Sequence, residues 1–69
     1  MKFQICGQGW PLDGGALLAP AGTIIDSASE DHFSQAAIGK TIPLNATPLD
    51  AEATAALAAE VARANRGGI

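Results

Sequence analysis

From Lys2 to Cys6 the chain alternates polar and apolar residues, so Phe3 and Ile5 share one face and a short strand is predicted. Gly7-Gln8-Gly9 breaks that pattern. Trp10-Pro11-Leu12 reads as extended, because a residue before proline is driven to the β region. Asp13-Gly14-Gly15 is a turn signal. Two short apolar runs, Ala16–Ala19 and Thr23–Asp26, then flank Pro20-Ala21-Gly22. Proline presets φ at the first turn position and glycine supplies a positive φ later, so these runs are expected to pair as a β-hairpin.

After the hairpin the apolar period changes to that of a helix. Phe33, Ala36 and Ala37 form a stripe at helical spacing, extended by Ile38. Ser27 or Ser29 is expected to cap this short helix, Glu30 and Asp31 favour its start, and Gly39 ends it. Residues 40–49 read as extended, and Pro43 and Pro48 exclude a regular central strand, leaving Ile42 and Leu44 to pair at an edge or simply to pack. The last segment carries complete helix punctuation. Asp50 is the natural N-cap, with Thr47 followed by Pro48 as the alternative. Glu52 lies in the first turn, Arg63 and Arg66 lie at the far end, and Gly67 stops the helix. About 15 residues at 1.5 Å rise give roughly 22 Å. Ala53, Leu57, Val61 and Ala64 share one face, and Glu60 can pair with Arg63 one turn on. Only Leu57 and Val61 are sizeable apolar side chains in this helix, so it adds little to a private core and lets another backbone come close.

The expected architecture is α+β: a small twisted β-meander or hairpin, open or partly closed as a barrel, with a short middle helix and a C-terminal α-helix. Residues 1–66 are expected to form one domain and residues 67–69 a flexible tail. Composition sharpens this picture. Apolar residues make up 48% of the 69, but 15 of them are alanine. Burying a Leu, Ile or Phe contributes roughly 1.5–3 kcal/mol, while ordering each residue costs about 1.5 kcal/mol. Chains of this size usually add a disulfide, a metal or a partner. One cysteine cannot form an internal disulfide, and one histidine with one cysteine is a poor metal set, so a partner surface is the expected supplement.

Net charge is −3, and Lys2, Lys40, Arg63 and Arg66 are scattered, which disfavours binding to nucleic acid. No apolar run approaches the roughly 20 residues of a membrane span, and the N-terminus lacks a signal-peptide pattern. A soluble chain in a reducing cytoplasm is expected, where a lone cysteine in an apolar run is at home.

Candidate chemistry is sparse. Gly7-Gln8-Gly9 begins like a dinucleotide fingerprint, but Leu12 stands where the third glycine belongs and Trp10-Pro11 follows instead of a helix, so a turn is expected. Glu30-Asp31-His32 sets carboxylates beside an imidazole, yet neighbours at a helix start point apart, so a solvated first turn with favourable dipole charges is expected. Cys6 lacks an electropositive setting, with only His32 as a possible base, and is expected to be a buried, inert thiol. Trp10, Leu57 and Val61 are the candidate interface residues, with packing on the domain's own core as their other use. No catalytic, cofactor-binding or metal-binding residue is expected.

The run Pro20-Ala21-Gly22-Thr23-Ile24-Ile25-Asp26, followed by Ile42-Pro43-Leu44-Asn45-Ala46-Thr47-Pro48-Leu49-Asp50-Ala51-Glu52-Ala53, resembles small proteins encoded by tailed bacteriophages and prophages. In those a P-x-G-T-x-I-D hairpin precedes a proline-rich stretch and a short L-D-x-E-A helix. The resemblance covers roughly residues 16–55, and leaves out Gly7-Gln8-Gly9-Trp10 and the alanine-rich helix. It implies a non-enzymatic virion component of the capsid decoration or cement type. Its partner would be the major capsid protein or another virion protein, with the chain itself a homo-oligomer or a multi-copy assembly, and its location the virion, with host cytoplasm during assembly. A regulatory or adaptor module dimerising through the C-terminal helix is the alternative. A small enzyme or ligand carrier is a third, for which the chain offers no convergent polar set and little room for a pocket of some 300 Å³ or more.

Overall fold

In a computed structural model that describes residues 1–67, the first 26 residues form one antiparallel ribbon bent at its middle. The outer arm pairs β1 (Lys2–Gln4) with β4 (Ile24–Asp26), setting Phe3 opposite Ile25. The inner arm pairs β2 (Trp10–Leu12) with β3 (Leu17–Ala19), setting Trp10 opposite Ala19 and Leu12 opposite Leu17. Asp13–Gly15 closes the inner arm as a single 3₁₀ turn. Asp13, Gly14 and Gly15 all take positive φ there, so the turn signal closes a hairpin with β2 and β3 as its strands.

The hairpin expected across Pro20-Ala21-Gly22 does not form. The turn itself is present, with the Thr23 N–H donating to the Pro20 carbonyl at 3.1 Å. Its two flanks nevertheless part: β3 belongs to the two-stranded sheet and β4 to the three-stranded one. Ile5 draws β4 away, because its N–H donates to the Thr23 carbonyl at 2.8 Å and its carbonyl accepts from the Gly22 N–H at 2.7 Å. Gly9 permits the bend on the opposite arm. It has φ +90°, and a Cβ there would stand 2.8 Å from the Ala19 carbonyl oxygen.

The fold is α+β, with two antiparallel sheets and no closed barrel among the described residues. The larger sheet has the order β4-β1-β5, so the first strand of the chain is its centre. β5 is the dipeptide Thr47–Pro48, placed at an edge where a proline without an N–H can be tolerated. Ile42 and Leu44 both lie outside the strands, and only Ile42 packs, since it is buried and Leu44 exposed.

The core contains Phe3, Ile5, Leu12, Ile25 and Ile42, with Ala19, Ala37, Ala46 and Ala53 filling the close approaches. Helix α1 (His32–Ala37) packs against it with Ala37, while Phe33 and Ala36 are half-buried. The cap of α1 is Asp31, not Ser27 or Ser29: its carboxylate accepts from the Ser34 N–H at 3.0 Å. Gly39 takes φ +80° just past the helix, ending it as expected.

Helix α2 (Ala51–Gly67) is capped by Asp50, whose carboxylate accepts from the Ala53 N–H at 2.7 Å. Thr47, the alternative cap, lies in β5. Gly67 still belongs to the helix, and the rest of the expected tail, residues 68–69, lies outside the described residues. Only the first half of α2 meets the body. Ala53 is fully buried and Ala56 and Leu57 pack against the core, but every residue from Val61 to Arg66 is exposed. Seventeen residues at 1.5 Å rise make a rod of about 26 Å in a molecule whose longest dimension is 36 Å.

Candidate interaction surface

Trp10, Leu57 and Val61 sit in three different environments. Trp10 begins β2, half-buried, with its ring edge-on to Phe3 at a centroid distance of 5.7 Å. That T-shaped contact ties the inner arm of the ribbon to the centre of the larger sheet. Leu57 is half-buried against the core from α2. Val61, one turn further, is 41% exposed and has left the core behind. Leu57 and Val61 share one face of α2, and Trp10 lies on a different element, β2. Trp10 and Leu57 help to close the domain, and Val61 is the one that faces out.

Other large apolar side chains face solvent. Leu18 is 58% exposed because β3 turns Leu17 and Ala19 inward and leaves Leu18 on the outer face. Ile24 is exposed on β4 for the same reason, as Ile25 points into the core. Ile38 follows α1, and Leu44 and Leu49 flank β5. The period-2 pattern of strands makes Leu18 and Ile24 readable as outward residues once the pairing is known. The expected hairpin hid this, because it placed the two runs beside each other.

A cavity of about 210 Å³ lies between the larger sheet and α1. Phe3, Ile25 and Ala37 are its buried apolar wall, and the exposed Ile38 and Lys40 also line it. It is smaller than the roughly 300–1,000 Å³ that drug-sized ligands and cofactors occupy.

The densest polar cluster surrounds Asp31. Its carboxylate accepts from the Ser29 hydroxyl at 2.7 Å, the Ser34 N–H at 3.0 Å and the Ser34 hydroxyl at 2.8 Å. The Ser29 hydroxyl, then the Ser34 N–H and hydroxyl, hold the acid well below the usual carboxylate range, at about 2. Ser34 is buried at 1% exposure, and its oxygen also accepts from the Asp26 N–H at 3.0 Å, joining α1 to β4. These bonds tie the Ser29 turn and α1 to β4 as a structural clamp. Sequence reasoning missed Ser34. The available signal was its place three residues after Asp31, where an N-cap carboxylate meets its N–H.

A pH dependence follows from the sign of this shift. A carboxyl group that is more acidic folded than unfolded contributes stability above its unfolded pKa, near 3.9, and loses it as pH falls toward the folded value. The Asp31 carboxyl carbon is expected to titrate near pH 2 in a carbon-detected NMR series. Asp31→Asn should flatten stability between about pH 4 and pH 2. A titration of Asp31 near pH 4 would remove the clamp.

The other candidates carry no convergent chemistry. His32 stacks on Phe33 at a centroid distance of 4.3 Å at the start of α1. Cys6 is half-buried, with its sulfur 3.1 Å from the Thr47 hydroxyl and donating to the Gln4 carbonyl at 3.7 Å. Gly7-Gln8-Gly9 is the bend of the ribbon, where the Asn45 amide donates to the Cys6 carbonyl at 2.7 Å over a glycine with no Cβ in the way. The Met1 ammonium donates to the Ser27 hydroxyl at 2.7 Å and pairs with Glu52 and, at 3.8 Å, with Asp50. The Glu52 hydrogen bond raises the pKa of that ammonium above its ordinary value. Among the described residues no group of three or more His, Cys, Asp and Glu side chains could hold a metal ion, and no helix is long and apolar enough to cross a membrane. No protein-family model, curated protein or solved structure matches the chain.

Proposed function

We propose that this chain is a non-enzymatic structural interaction protein, a small virion component that decorates or cements a tailed-phage capsid. The observation that carries the reading is the uncovered far half of α2. A helix gains most of its stability in water from the face it packs. Here the turns from Val61 to Arg66 pack on nothing within the described residues. A capsid surface would supply the missing contact, and many copies would convert modest contacts into avidity. Exposed Leu18, Ile24, Leu44 and Leu49, on separate segments, support a position between several subunits. The resemblance of residues 16–55 to small phage proteins supports the capsid as the partner.

Purified chain mixed with undecorated tailed-phage capsids should co-sediment with them, and Val61→Glu should abolish this while leaving the far-ultraviolet circular dichroism unchanged. Failure of the unaltered chain to co-sediment would sink the reading. The exposure of Val61 also supports a second one, an adaptor module dimerising through α2. Light scattering of the free chain separates the two: the adaptor requires the mass of two chains without any capsid.

A further inference from the structure

The cavity beneath α1 takes no part in the interaction reading, since none of Trp10, Leu57 and Val61 lines it. Its wall of Phe3, Ile25 and Ala37 offers only carbon. Of the polar groups around it, the Ser34 hydroxyl already donates to Asp31, and the Met1 ammonium is held by Ser27, Asp50 and Glu52. Lys40 differs. It is exposed, it lines the cavity, and it has no carboxylate partner among the described residues. The cavity therefore joins an apolar wall to one cation that no carboxylate holds among the described residues, Lys40, the Met1 ammonium being already paired with Asp50 and Glu52.

Size limits the guest. An apolar cavity of about 150 Å³ holds a molecule the size of benzene, so about 210 Å³ suits a slightly larger one. We propose that this cavity binds a small monocarboxylic acid, with its alkyl or aryl group against Phe3, Ile25 and Ala37 and its carboxylate beside the Lys40 ammonium. A neutral guest of the same length forgoes the charge contact, and an amine meets a like charge.

Hexanoate, hexanol and hexylamine, titrated separately into the isotopically labelled chain at constant ionic strength, test this by NMR. Hexanoate should shift the amides of Ala37, Ile38 and Lys40 saturably, with a Kd of about 1 mM. Hexanol should bind more weakly, and hexylamine weakest. Lys40→Gln should weaken hexanoate about two- to fivefold, the range of an exposed ion pair, and leave hexanol unchanged. Ala37→Met should fill the wall and abolish binding of all three; if that variant does not fold, the exposed Lys40→Gln still decides. Shifts that fail to saturate, equal affinities for the three compounds, or unchanged hexanoate affinity in Lys40→Gln would each overturn the proposal.

Discussion

Phe3→Ala is expected to leave little folded protein at 37 °C. Phe3 is 1% exposed, lies on the central strand, faces Ile25 on one neighbour and Pro48 on the other, and meets the edge of Trp10. Truncating a buried phenylalanine to alanine costs about 3–5 kcal/mol. A domain of this size has only about 3–10 kcal/mol in total. Few large side chains remain to compensate, since the other non-alanine members of the core are Ile5, Leu12, Ile25 and Ile42. Urea unfolding followed by circular dichroism measures the loss. Leu18→Ala is the control: Leu18 is 58% exposed, and its loss should change stability by no more than about 0.5 kcal/mol. A Phe3→Ala midpoint equal to that of the control would mean that β1 is not the centre of the domain.

The second large effect is expected at Gly9. Two separate costs fall on Gly9→Ala. A left-handed backbone at a non-glycine residue costs on the order of 1–3 kcal/mol, and Gly9 has φ +90°. The new Cβ would also meet the Ala19 carbonyl oxygen at 2.8 Å, and that atom is backbone in the strand facing Trp10. Crowding of this kind adds roughly 1–3 kcal/mol. Gly14→Ala isolates the first cost, because Gly14 has φ +68° with nothing within 4 Å of its Cβ position. Gly9→Ala should therefore be less stable than Gly14→Ala by at least about 1 kcal/mol in the same urea series. Equal losses would show that the ribbon does not close against Gly9.

What was legible in the sequence was local. Helix α2 could be read because its cap at Asp50, its alanine content and its far-end arginines all act within a few residues. The turns at Asp13–Gly15 and Pro20–Gly22 were visible for the same reason. The exposure of Val61 was not readable this way: the helical period puts it on the face of Ala53 and Leu57, and it is exposed because α2 runs past the body. What stayed hidden was pairing at a distance. A Pro-Ala-Gly turn between two apolar runs looks like a hairpin, and nothing near it reveals that the Ile5 carbonyl claims the Gly22 N–H. The cap of α1 was hidden in a similar way: Ser27, Ser29 and Asp31 are all capping residues, and Asp31 is favoured in the fold because buried Ser34 ties it to β4. Of the candidate site, Trp10 and Leu57 are half-buried against the core, and the place of Trp10 depends on a bend that no local pattern encodes.

The central place of β1 also sets an order of events during synthesis. Within the larger sheet, β1 leaves the ribosome before either of the strands that pair with it. β4 can close on it once residue 26 is out, before either helix has been made. The other edge waits until residue 48, and the buried Ala53 follows only later. Until then Phe3 has one flank unprotected, so the nascent chain passes through a stage in which its largest fully buried side chain is still partly open to water.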